Sequence, residues 1–144
     1  MTLVRRINTR VGRRGAALLF FAFLDLVYAV ALLSAPRPLT PFYAWMNAVA
    51  PLPVWACCWA TVGLICLLFA FAIRDTFAFM AAVALKVAWG MPALFGWIDG
   101  EVPLGYVSAA IWLAFAAFVY LIAGGIPPAT KSERRWLWSR SLGH

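Results

Sequence analysis

Histidine is all but missing from this chain: its one copy, His144, is the last residue, and the three cysteines, Cys57, Cys58 and Cys66, show no Cys-x-x-Cys spacing. A Cys/His metal site and a dithiol redox centre both need such spacing, so neither is expected. Acids are also scarce, being Asp25, Asp75, Asp99, Glu101 and Glu133 only, and no paired catalytic carboxylates, Ser–His–Asp set or glycine-rich phosphate loop appears. The chain therefore reads as no enzyme, with no cofactor and no metal. Charged residues of either sign make up 12%. So little charge excludes an ordinary soluble surface, which carries about twice that share.

What fills the space is apolar. The 144 residues are 65% hydrophobic, with a mean hydropathy of +0.88. Four runs have the length of about 20 residues that a bilayer crossing needs. They lie at about 15–34 (GAALLFFAFLDLVYAVALLS), 53–73 (PVWACCWATVGLICLLFAFAI), 76–97 and 103–124. The expected fold is an all-α polytopic membrane protein, a bundle of four transmembrane helices over 15–124. It is flanked by a basic segment, 1–14, and a basic tail, 125–144. No internal repeat or low-complexity stretch is evident.

Lys and Arg beside short loops resist translocation, so their distribution sets the orientation. Arg5, Arg6, Arg10, Arg13 and Arg14 precede the first run, Arg74 joins the second and third, and Lys131, Arg134, Arg135 and Arg140 follow the fourth. Ten of the twelve bases thus fall on one side, against Arg37 alone on the other, where Asp99 and Glu101 also lie. Both ends are expected on the cytoplasmic side of the membrane. Arg5, Arg6, Arg10, Arg13, Arg14, Arg134, Arg135 and Arg140 would meet anionic lipid head groups. The +7 charge and pI near 10.0 are read as topology signals, with no nucleic-acid partner. A cleaved signal peptide is disfavoured because Asp25 interrupts the first run and Pro36 follows Ser34–Ala35.

The external stretch 35–52 holds Pro36, Pro38, Pro41 and Pro51, so it cannot be one regular element. Within it Phe42–Ala50 suits a short interfacial helix. Trp55, Trp97 and Tyr106 are expected in the outer aromatic belt, and Tyr120, Trp136 and Trp138 at the inner face. Asp75 or Thr76 would cap the third span. The tail carrying Trp136, Leu137 and Trp138 among its bases would lie along the inner membrane surface.

Depth picks out one pair. Asp25 lies ten residues into the first run and Lys86 ten residues beyond Thr76, and both spans run in the same direction. Each charge falls near the midplane, where an isolated charge is costly and a paired one is tolerated. An Asp25–Lys86 ion pair is therefore expected, serving either as a latch for helix order or as a proton- or ion-sensitive polar site. On the helical faces of the two charges lie Phe21, Ala22, Tyr28 and Ala29, and Ala82, Val83, Trp89 and Gly90. Tyr28 is expected to hydrogen-bond Asp25, and Trp89 to stack on the Lys86 cation. Gly90 and Pro92 would kink the third span. The cysteines read as buried thiols, and Ala56, Ala60, Gly63 and the alanines of the fourth span as sites of close helix approach, within one bundle or between copies.

Four short-looped spans, cytoplasmic ends and the basic tail Lys131, Arg134, Arg135, Arg140 resemble the small membrane proteins of bacteriophages, including holin-like proteins. That resemblance implies homo-oligomeric lesions in the inner membrane. Four spans with one acid in the first, Asp25, also resemble the small multidrug-resistance transporters, from which Lys86 departs by neutralising that acid. The leading expectation is a holin-like, lesion-forming protein acting as a homo-oligomer. An accessory or assembly subunit of a membrane complex is the alternative, and a small-solute or cation transporter the third.

Overall fold

The computed structural model describes residues 3–72 and 75–125, with side chains from Arg13 onward. Among these it contains five helices: α1 (Leu3–Leu33), α2 (Pro41–Val49), α3 (Leu52–Phe69), α4 (Thr76–Ile98) and α5 (Gly105–Gly125). Four are long and apolar enough to cross a membrane, at Arg13–Leu33, Leu52–Phe69, Thr76–Ile98 and Gly105–Gly125. This is a polytopic membrane protein whose spans form one bundle. α1 is longer than its apolar run, because the segment preceding the run is helical from Leu3.

The chain folds as two antiparallel pairs, α1 against α3 and α4 against α5, joined along α3 and α4. Small residues set both close approaches. A side chain at Gly63 would press on Leu26 and the Ala22 carbonyl of α1, and one at Gly90 would sit 3.2 Å from Trp112 Cβ of α5. Gly105 is tighter still, since a Cβ there would collide with the Ala93 carbonyl oxygen and lie 2.9 Å from Trp97 Cβ. α4 runs through Pro92 as one helix and ends at Ile98 with Asp99 as its cap, followed by Gly100, whose φ of 78° is the left-handed conformation that glycine supplies just past helix ends.

α2 is more than an interfacial strip. Thr40 caps it by accepting from Tyr43 N, Met46 is completely buried beneath it, and the Trp45 indole donates to the Pro92 carbonyl at 2.9 Å. Asn47 Oδ1 then accepts from Leu52 N, which fixes the start of α3. The helix therefore closes one end of the bundle as a lid.

Candidate functional site

Asp25 belongs to the inward stripe of α1, Leu18, Phe21, Ala22, Asp25, Ala29 and Leu32, whose three- and four-residue steps keep one helical face. Lys86 belongs to the matching stripe of α4, with Phe79, Ala82, Trp89 and Ala93. Both charged side chains are wholly buried, and Lys86 Nζ donates to Asp25 Oδ1. The other carboxylate oxygen, Oδ2, has no hydrogen-bond partner among the described residues.

Rings close the pair from both directions. On the lid side each span contributes one ring: Tyr28 lies 4.4 Å from Trp59, 5.5 Å from Trp89 and 5.3 Å from Trp112 between centroids. On the opposite side Phe21 meets Phe79 and Phe115 edge-on at 6.3 and 5.9 Å. The Lys86 ammonium lies 4.8 Å above the Trp59 ring and 6.0 Å from Phe115. Trp59 is thus the main cation–π partner, where Trp89 was expected, because α3 packs along α1 and also touches α4, which brings its ring under the ammonium. Trp89 instead packs edge-on against Trp55 and Phe42 of the lid region at 5.1 and 5.7 Å. The Tyr28 ring lies tilted on Trp59, and the expected bond from its hydroxyl to Asp25 is not formed among the described residues.

A second buried ion pair closes the end opposite the lid. Arg14 Nε and Nη2 donate to the two carboxylate oxygens of Asp75 at 2.8 and 2.7 Å, and Nη1 donates to the Ala123 carbonyl at 2.5 Å. The guanidinium also lies 4.9 Å over Phe79. Arg14 is 8% exposed and Asp75 5%, whereas the adjacent Arg13 is exposed. Two expectations are corrected here. Arg14 is no lipid head-group contact, because its helical phase turns it inward where Arg13 turns outward. Asp75 makes no side-chain cap on α4, because both its oxygens are taken by Arg14. The clasp brings together the start of the α1 span, the entry to α4 and the last turns of α5, so these lie at one end of the bundle.

The cysteines also divide. Cys66 is buried and its thiol approaches the Ala78 carbonyl at 3.9 Å, while Cys57 and Cys58 lie on the outer surface of α3 rather than in the interior. Trp97 is exposed and packs on Tyr106 at 5.2 Å, whereas Trp55 is half-buried and donates to the Met46 carbonyl at 3.1 Å. The side chains of Arg5, Arg6 and Arg10, residues Ile73 and Arg74, and the tail with Arg134, Arg135, Arg140, Trp136 and Trp138 lie outside the described residues.

Sequence reasoning missed Arg14–Asp75, Trp59, Trp112 and Phe115. One signal was there to find: Arg14 and Asp75 are 61 residues apart, the same offset as Asp25 and Lys86. Two helices that run in one direction and face each other across a bundle repeat such an offset at every facing level.

Between α1 and α5 an apolar groove of about 550 Å³ opens on the bundle's flank, lined by Leu24, Ile111, Trp112, Phe115 and Phe118. No family model, curated protein or solved structure matches this chain.

Proposed function

We propose that this chain is a non-catalytic protein of the bacterial inner membrane, with both termini in the cytoplasm, that works by associating with a partner membrane protein through its helix faces. One observation carries this reading: the two charged residues at mid-span are consumed inside the bundle, while α5 turns Ile111, Phe118 and Leu121 outward and borders the groove beside α1. An accessory or assembly subunit needs a rigid, apolar flank of this kind and no chemistry. The paired Lys86 argues against a transporter that relies on a free Asp25 carboxylate.

A homo-oligomeric, holin-like role is the second reading. It is favoured by Ala110, Ala114 and Ala117, which are exposed on α5 and allow close approach of another copy. A lesion has to be lined by polar groups, however, and Asp25 and Lys86 are turned away from the bundle surface.

Induced expression in bacteria separates the two. The accessory reading expects steady membrane potential and growth, together with one membrane protein that co-purifies in fixed proportion. Abrupt depolarisation after a delay, with large homo-oligomers, would overturn it in favour of lesion formation.

A further inference from the structure

The four spans are not equally fit for lipid. α1 is the most apolar, with a mean hydropathy of 2.4 in its span, and α4 the least, at 1.6. α4 also carries Lys86 near its centre and Pro92 beyond it. A lysine at that depth makes insertion of a lone helix unfavourable. In the folded bundle α4 is also the most inward-turned of the four spans. Asp25, the group that neutralises Lys86, lies 61 residues earlier in the chain. When α4 leaves the ribosome, α1 has already been made, with its carboxylate at the level Lys86 must reach. The same offset places Arg14 against Asp75, three helical turns away, at the entry to α4.

We infer that α1 supplies the counter-charges with which α4 becomes a transmembrane segment, with Asp25 as the receptor for Lys86 and Arg14 as the stop that holds the start of α4 at Asp75. The dependence runs one way. α1 is apolar enough to cross with Asp25 unpaired, whereas α4 with Lys86 unpaired is marginal. Loss of Asp25 therefore releases α4 from the bilayer, and α5 then crosses in the reverse sense, which carries the C-terminus to the other side. Loss of Lys86 leaves a more apolar α4 that needs no receptor.

The test uses the full chain with a C-terminal reporter, either green fluorescent protein, which fluoresces when cytoplasmic, or alkaline phosphatase, which is active when exported. The ratio of the two signals reports where the C-terminus lies. Asp25→Leu is expected to shift that ratio about tenfold toward the opposite side, equivalent to roughly 1.4 kcal/mol. Lys86→Leu is expected to leave it at the wild-type value, and Asp25→Leu with Lys86→Leu to restore it. The inference is overturned if Asp25→Leu lowers both signals together without changing their ratio, if Lys86→Leu shifts the ratio as far as Asp25→Leu, or if the double variant stays shifted. The wild-type ratio reports the orientation proposed above. A wrong orientation and a wrong docking order are therefore told apart.

Discussion

Arg13 and Arg14 are chemically identical neighbours, and the structure assigns them opposite fates. Replacing Arg14 by Leu removes two hydrogen bonds to Asp75, one to the Ala123 carbonyl and the cation–π contact on Phe79. It also leaves the Asp75 carboxylate 5% exposed with its cationic partner gone. Breaking a buried pair by deleting one partner typically costs about 3–5 kcal/mol, most of it from the stranded charge. Because Asp75 is at the end of the bundle and within reach of relaxation toward water, the lower end of that range, about 3 kcal/mol, is expected. Arg13→Leu should change stability by less than about 0.5 kcal/mol, as surface substitutions do. Arg14→Leu with Asp75→Leu removes both charges and should recover at least about half of the single-variant loss, since the coupled term cancels in a double-mutant cycle. The Trp59–Trp89–Trp112 cluster gives a fluorescence signal for reversible unfolding of the purified protein by denaturing detergent. Equal losses for Arg13→Leu and Arg14→Leu would refute the inward clasp, and a double variant no better than Arg14→Leu would refute the coupling.

Other outcomes follow from particular contacts. Lys86→Met should destabilise by about 3 kcal/mol or more, and adding Asp25→Leu should recover much of it, because two apolar residues pack where one buried charge was stranded; the same unfolding assay checks this. Gly105→Ala places a methyl group against the Ala93 carbonyl and should force α4 and α5 apart, whereas Gly124→Ala meets nothing within 4 Å and should be silent; cross-linking efficiency between cysteines placed on α4 and α5 separates the two. Trp45→Phe removes the indole bond to Pro92 and should cost roughly 1 kcal/mol, and Met46→Ala, which empties a fully buried site under the lid, about 2–5 kcal/mol. Hydrogen exchange in α2 should rise in both variants and stay unchanged in α5.

The four spans and the midplane pair were legible because each rests on a one-dimensional quantity. Run length against bilayer thickness finds the spans, and counting residues from the span ends places Asp25 and Lys86 at one depth. What stayed hidden depends on helical phase and on which element faces which. Basic residues at the start of a span read alike as topology signals, so nothing in the sequence marks Arg14 as the one that turns inward. Asp75 precedes a helix, where capping is the common role, and its guanidinium partner lies 61 residues away. In α3 apolar residues run all round the helix, so neither the exposure of Cys57 and Cys58 nor the inward aim of Trp59 leaves a periodic trace. The ring beneath Lys86 comes from α3 and the ring beside it from α5, and only the packing of all four spans decides that.

The two buried pairs also set how this protein responds to voltage. Each unites one positive and one negative charge at nearly one depth, so tilting or shifting the whole bundle through the transmembrane field moves no net interior charge and does almost no electrical work. Only drawing Asp25 and Lys86 to different depths would, at up to about 2.3 kcal/mol per charge carried across the full drop of 100 mV. The two pairs are therefore electrically quiet while they are whole and voltage-sensitive only in coming apart.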